Sequence, residues 1–307
     1  MNRKFASIDV GSNTILMLVG ELLPDGSIRT IRDEHSIARL GENVNKTGVI
    51  SKAAIARALP IFEKYRKIAR EENVEAICAC ATSAVRDAGN KAEFLPLFDE
   101  ALGEKIHVIH GETEATLSFL GSTEDLTRST IIDIGGGSTE FICGENSVIE
   151  YKTSLNFGAV KLKEKFFRSH PAPPDILRAA EETIRRECSI LPEKIFATDK
   201  IYSVAGTPTS IAAIYHNIRE FDYEKIHLFH LTPQIVDDVF DLVMSHSLAE
   251  LIDRYDIHPQ RADILPAGIS ILKTVMKQFS IGQIIVSAKG LRYGILKNMI
   301  TNQISVG

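Results

Sequence analysis

The chain has 307 residues, 44% hydrophobic and 24% charged, with a formal net charge of −5. That length accommodates two modest α/β domains or one large one. The acid excess argues against a duplex nucleic-acid binder while leaving room for a local basic groove. No apolar run approaches a membrane span, and the N-terminal MNRKFASIDVG enters a strand without a signal-peptide core, so a cytoplasmic protein with no membrane partner is expected. Cys78, Cys80, Cys143 and Cys188 lack zinc-ligand spacing and read as free thiols of a reducing compartment.

Residues 4–37 read as three strands, KFASIDV, TILMLVGEL and SIRTIRDEHSI, broken at Gly11-Ser12-Asn13 and Pro24-Asp25-Gly26. Ser51 caps a helix with Ala54, Ala58, Ile61, Tyr65 and Ile68 on one face, and Pro60 predicts a kink or restart. A buried strand VEAICACA follows, then ATSAVRDAGN as a loop or short helix, a helix AEFLPLFDEAL, a strand KIHVIHG and a helix ETEATLSFLG. Residues 124–129, EDLTRS, read as a junction.

The pattern then restarts with STIIDIG, TEFICGE and SVIEYKTSL, helices at GAVKLKEKFF and DILRAAEETIRRECSIL, and a strand KIYSVAG leading to a helix near Pro208. Helices dominate 232–279, before a last strand QIIVSAKG and a last helix LRYGILKNMI. Two α/β domains of similar plan, 1–124 and 125–290, facing each other across a cleft, are the expected fold.

The repeat is visible residue by residue. A shift of 124 places Ile8, Asp9, Gly11, Gly20 and Glu21 on Ile132, Asp133, Gly135, Gly144 and Glu145. A strand that ends in Asp and turns through glycine lets backbone N–H groups approach an anion closely. Its Asp, here Asp9 and Asp133, suits Mg²⁺, a hard cation that keeps several waters. Gly11, Ser12, Asn13 and Thr14 would then line one phosphate loop, and Gly135, Gly136, Gly137 and Ser138, with Thr139, the other. Either turn alone reads equally as a tight hairpin capped by Asp and Ser.

Further candidates carry bland readings of their own. Gly206 and Thr207 in SVAGTPTSIA could offer helix N-terminal amides to an anion, or simply start a helix. VSAKGLRYGIL, with Ser287, Lys289, Gly290 and Arg292, is a phosphate loop or a plain strand-to-helix connection. Arg86 has the planar fork that suits phosphate, and is otherwise a surface arginine. Glu112 and Glu114 begin a helix, where acids usually serve the dipole; one of them could be a general base. Glu140 is a metal or water ligand, or a solvated strand residue. Lys161, Lys163, Lys165 and Arg168 form a basic helix that is solvated or steers a polyanion. The nine histidines show no zinc spacing.

The ordered set IDVGSNT, ATSAVRDAGN, HGETEA, IDIGGGSTE, SLNFGAVKL, AGTPTSIA and SAKGLRYGIL closely resembles the exopolyphosphatase / guanosine pentaphosphate phosphohydrolase family. The resemblance implies two ribonuclease-H-like domains of the actin-like ATPase superfamily, with the last helix, about 291–307, packed back on the first. It implies removal of terminal phosphoryl groups from polyphosphate or pppGpp with Mg²⁺, and makes a homodimer an expectation. By motif, Glu114 matches the catalytic glutamate, Arg86 the phosphate-contacting arginine and Glu140 the acid of the second loop. Tyr293 stands where the family's GLREG motif has glutamate, and the resemblance is to a short form, expected to lack the helical C-terminal region of longer members.

Such a site would run in-line water attack, with Glu114 positioning the water and Arg86 neutralising the attacked phosphate. An ATPase or small-molecule kinase with the same clamp, and a protein that binds polyphosphate or guanosine tetra- or pentaphosphate without turnover, are the alternatives.

Overall fold

The computed structural model describes residues 3–123, 127–145 and 148–301, apart from the side chain of Gln260. The chain divides into two compact units, one through Gly121 that takes up the chain again at Gly290, the other Ser122–Lys289. The expected boundary at 124/125 lies outside the described residues.

The first unit is built on β1 (Lys4–Val10), β2 (Thr14–Leu22), β3 (Ile28–Ile37), β4 (Ala76–Ala81) and β5 (Ile106–Val108). The spatial order is β3-β2-β1-β4-β5, with β1 to β3 antiparallel and β4 and β5 parallel to β1. This is the ribonuclease-H-like plan. Alternation along β1 sends Ala6, Ile8 and Val10 to one face, against Ala54, Ala58, Phe62 and Tyr65 of the helix Lys52–Glu71. Ser51 caps that helix, accepting from the Ala54 amide at 3.2 Å.

Two details differ from the sequence reading. Phe62, not Ile61, fills the buried stripe, and the helix continues through Pro60. Pro60 lies on the exposed side with Ala56, so the carbonyl deprived of its i+4 donor faces water and the helix is not forced to restart.

The other face of β4 presents Cys78 and Cys80 to Leu117 of the helix Gly111–Ser122 and to Leu291 and Ile295 of the helix Leu291–Thr301. The two helices touch backbone to backbone, since a Cβ on Gly294 would stand 1.7 Å from the Leu117 carbonyl oxygen. Arg292 fastens the last helix to β3. Its Nε and Nη2 donate to the two Asp33 oxygens at 2.8 and 2.7 Å, and its carbonyl accepts from the Ser7 hydroxyl at 2.6 Å. Arg292 is therefore a buried structural ion-pair residue, not a loop donor to phosphate. Tyr293 joins the apolar cluster of Phe5, Leu18 and Leu296, with its hydroxyl 3.3 Å from Thr30 Oγ1. Thr30 pairs with Gly20, six residues along β2 from Thr14, so the tyrosine packs at the far end of the strand from the glycine turn.

The second unit repeats the plan with β6 (Ser129–Ile134), β7 (Thr139–Glu145), β8 (Val148–Leu155), β9 (Lys200–Val204), β10 (His230–Leu231) and β11 (Ile284–Val286), in the order β10-β11-β9-β6-β7-β8. The irregularity in β2–β3 pairing falls between Val19 and Gly20, and that in β7–β8 between Cys143 and Gly144, again 124 residues apart. The duplicated glycine thus marks a duplicated bulge. β10, too short to carry a pattern, was not foreseen. All four cysteines are free and buried. Among the described residues, no helix is long and apolar enough to cross a membrane.

Burial alone would raise the Asp33 carboxyl, but hydrogen bonds from His35 and Arg292 and their charges outweigh it and hold the group at about 2, below its ordinary 3.8. The bridge therefore stabilises the fold fully above about pH 4 and is lost as pH falls towards 2. Asp33→Asn leaves a buried guanidinium without its anion and is expected to cost about 3–5 kcal/mol at neutral pH. Denaturant unfolding should show the wild type losing stability across that acid window while the variant, already without the bridge, loses less.

Candidate active site

At the tip of β1 the Gly11 amide donates to the Thr14 carbonyl at 2.9 Å, and at the tip of β6 the Gly135 amide donates to the Ser138 carbonyl at 3.0 Å. A Cβ on either glycine would stand 3.1 Å from that same carbonyl oxygen, so close approach explains why glycine recurs there. The carbonyls of Ser12, Asn13, Gly135 and Gly136 accept backbone hydrogen bonds from elsewhere in their own unit. Among the described residues, the amides of Ser12, Asn13, Gly136 and Gly137 donate to no backbone carbonyl. Both turns spend their acceptors on the fold and keep their donors for an anion.

Around the first turn, Ser12 Oγ lies 2.9 Å from Ser83 Oγ, at the start of the helix Ser83–Asp87. That helix follows β4 and carries Arg86, whose Nη1 donates to the Ile109 carbonyl and to Glu114 Oε2, both at 3.0 Å. Glu114 is 8% exposed, whereas Glu112 faces solvent, a difference that their shared place in the helix's first turn does not show. Asp9 ends β1 beside Cys80 of β4.

The second turn is not a copy in its chemistry. Asp133 pairs directly with Glu140, and Glu140 with Ser154, giving a row across β6, β7 and β8. Glu140 is 2% exposed and accepts from the Ser154 hydroxyl at 2.6 Å. In the first sheet the same position opposite Asp9 is Leu16. Like charges directly opposed on neighbouring strands repel, and a divalent cation between them removes that cost. The donor set fits Mg²⁺, since it offers carboxylate and hydroxyl oxygen. No group of three metal-binding side chains occurs among the described residues, as expected for an ion bound by one or two carboxylates, waters and substrate oxygens.

Two glycine contacts and one arginine were not found from sequence as site features. Gly158 lies under the second turn, where a Cβ would be 2.5 Å from the Gly135 carbonyl oxygen. The amides of Ala159 and Val160, at the start of the helix Ala159–Lys165, donate to the Gly135 and Gly136 carbonyls at 2.9 Å. The basic character of that helix is partly spent, because Lys163 pairs with Asp263 at 3.2 Å. The third loop starts its helix at Gly206, earlier than Pro208, and runs to Tyr215. Ala205 before it holds φ 74° and ψ −165°, a region populated almost only by glycine. Gly268 packs on Thr207, and the Arg261 guanidinium lies just beyond Gly206. Desolvation holds that guanidinium below the usual arginine range, and among the described residues it has no hydrogen-bond or ion-pair partner. An arginine facing a helix N-terminus makes a site for phosphate oxygens. HPQRADILPAG gives no local signal of this, because Arg261 is brought there by the fold.

The first unit thus gathers Asp9, Gly11, Ser12, Asn13, Thr14, Arg86 and Glu114, and the second Asp133, Gly135 to Ser138, Glu140, Gly206 and Thr207. Comparison with known proteins adds independent evidence. Residues 23–303 match the Ppx/GppA phosphatase family. The chain is 34% identical, over 97% of its length, to a bifunctional 3-dehydroquinate synthase/phosphatase of Fusobacterium nucleatum, of which it spans 47%. It is 27% identical to Exopolyphosphatase 2 of Mycobacterium tuberculosis, covering 95% of this chain and 97% of that protein. It is 26% identical to a guanosine-5'-triphosphate,3'-diphosphate pyrophosphatase of Aliivibrio fischeri, covering 98% of this chain and 60% of that protein. The crystal structure of an exopolyphosphatase from Cytophaga hutchinsonii is similar with a TM-score of 0.89 at 28% identity, over 99% of this chain and 100% of that one.

Two methyl groups test this geometry in opposite directions. Gly158→Ala drives a Cβ into backbone that cannot yield and should cost about 1–3 kcal/mol. Ala205→Gly relieves about 1–3 kcal/mol of strain against a smaller entropic cost, and should raise stability by about 1 kcal/mol. Thermal melts of both variants against wild type check the pair.

Proposed function

The chain belongs to the Ppx/GppA phosphatase family, and from that premise we propose that it is a Mg²⁺-dependent phosphohydrolase releasing terminal phosphate from inorganic polyphosphate or from the 5' end of pppGpp. The observation that carries this reading is the second turn. There the carboxylate row Asp133–Glu140 adjoins glycine amides that, among the described residues, donate to no backbone carbonyl, so one hairpin offers a cation site and an anion site together.

Asp133 and Glu140, opposed on one hairpin, are the residues that would hold the ion, and Asp9 offers a carboxylate at the matching position of the first unit. When bound, Mg²⁺ would neutralise charge on the phosphate oxygens. In the first unit the amides of Ser12 and Asn13, with the hydroxyls of Ser12 and Thr14, bind phosphate oxygens, and in the second unit the amides of Gly136 and Gly137, with the Ser138 hydroxyl, do the same. Gly206, Thr207 and Arg261 take phosphates further along the substrate.

Glu114 orients a water and accepts its proton as the oxygen bonds to phosphorus. The bridging P–O bond breaks with its electron pair passing to the shortened polyphosphate or ppGpp, and the attacked phosphorus is released as orthophosphate. Arg86 has one nitrogen committed to Glu114 and Ile109, which aims the carboxylate, and its remaining donors meet the attacked phosphate. The buried free thiols suit a reducing compartment, and the cytoplasm is where we place the enzyme.

Glu114→Ala should lower kcat by about 10²–10⁴-fold with little change in KM. Phosphate release from polyphosphate and pppGpp measures it, and wild-type rates in the folded variant would remove Glu114 from the mechanism. EDTA should abolish turnover, and added Mg²⁺ should restore it.

A further inference from the structure

The segment after the helix Gly206–Tyr215 exposes more apolar surface than its surroundings. Phe221 is 58% exposed, Tyr223 37% and Leu228 43%. Asp222 caps a single helical turn, Tyr223–Ile226, by accepting from the Lys225 amide at 3.3 Å, which places Tyr223 first in the turn and His227 just past it. Their rings stack with centroids 4.7 Å apart and planes 34° from parallel. Leu228 is held at φ 64°, an outlier conformation for a bulky residue. Exposed aromatic rings and backbone strain in one short segment mark a binding surface rather than a solvated loop.

The sheet fixes where this surface lies. The Leu228 amide donates to the Val286 carbonyl, and the Val286 amide to the Phe229 carbonyl, both at 2.8 Å, so the segment runs alongside β11. The Ala288 amide, just past the end of β11, donates to His227 Nδ1 at 3.3 Å. β11 is parallel to β9 and beside it, and β9 ends at Val204 and leads straight into Ala205 and Gly206. The tilted ring pair and the Gly206–Arg261 anion site therefore share the C-terminal edge of one sheet.

We infer that Tyr223 and His227 form a stacking shelf for the base of a purine nucleotide whose phosphates engage Gly206, Thr207 and Arg261, and that Tyr223 selects nucleotide over inorganic polyphosphate. This rests on the phosphohydrolase reading and names the substrate class that the second unit discriminates. The occupant follows from the pairing of features. A polyphosphate chain matches the anion site and has nothing to place on two rings, whereas a nucleotide carries an anion at one end and a flat π surface at the other. Every base has a π face, so the shelf supplies affinity for the nucleotide class.

The test separates the substrates. Tyr223→Ala is expected to raise KM for pppGpp at least about 5-fold with kcat unchanged. KM for tripolyphosphate, which has no ring, should stay at the wild-type value, and Tyr223→Phe should keep both. No change, or an equal change for both substrates, overturns the shelf. A wild-type protein that releases phosphate from neither substrate sinks the phosphohydrolase reading instead, so calorimetric titration with ppGpp reads the shelf without turnover. Binding at least about 5-fold weaker in Tyr223→Ala supports it. Equal affinity, no binding to the wild type, or a change of oligomeric state in the variant overturns it.

Discussion

Two carboxylates face each other across a pair of antiparallel strands, and one of them is almost wholly buried. Asp133 and Glu140 are directly opposed, and like charges at that register repel. The Ser154 hydroxyl pays part of that cost. A divalent ion would remove most of the rest, and a phosphate held on the adjoining amides would complete its coordination. The loop, the strand bulge and the helix seated beneath the turn make sense as the frame that holds this pair in place.

The frame depends on backbone approaching backbone. Gly158 admits the second turn to its helix, Gly294 admits the last helix to the helix Gly111–Ser122, and Gly268 admits Thr207. At each point a methyl group would collide with backbone or a neighbouring side chain, so these contacts are settled by shape more than by hydrophobic area. Arg292 and Asp33 then tie the last helix to β3. The Tyr293 departure from the family motif falls in that tie and in its apolar surround, which gives the tyrosine a packing role.

Much of this was legible in sequence because the repeat repeats its physics. The 124-residue shift that matches Asp9 to Asp133 also matches the turn hydrogen bonds and the bulges at Gly20 and Gly144. Period-two and period-3.6 apolar patterns located the long elements, and strand-end glycines located the loops. What stayed hidden depends on contacts between distant segments. Their place in a helix's first turn does not separate Glu112 from Glu114; the motif favours Glu114, and its burial sets it apart. Arg261 and Gly158 become site residues only when the fold delivers them, and Arg292 has a phosphate-loop setting in sequence but a structural partner 259 residues away. The first turn shows the limit of repeat arguments, because Leu16 stands where the second turn has Glu140. Similar backbone therefore carries unequal chemistry.

The central claim is that the Asp133–Glu140 pair exists to hold a divalent cation beside phosphate. A Mg²⁺ titration of initial phosphate-release rates, on wild type, Asp133→Asn and Glu140→Gln at saturating substrate, tests it most directly. The account predicts that each substitution raises the half-saturating Mg²⁺ concentration by roughly 10-fold or more, the range seen when groups supporting a metal site are removed. Unchanged Mg²⁺ dependence in both folded variants would contradict it.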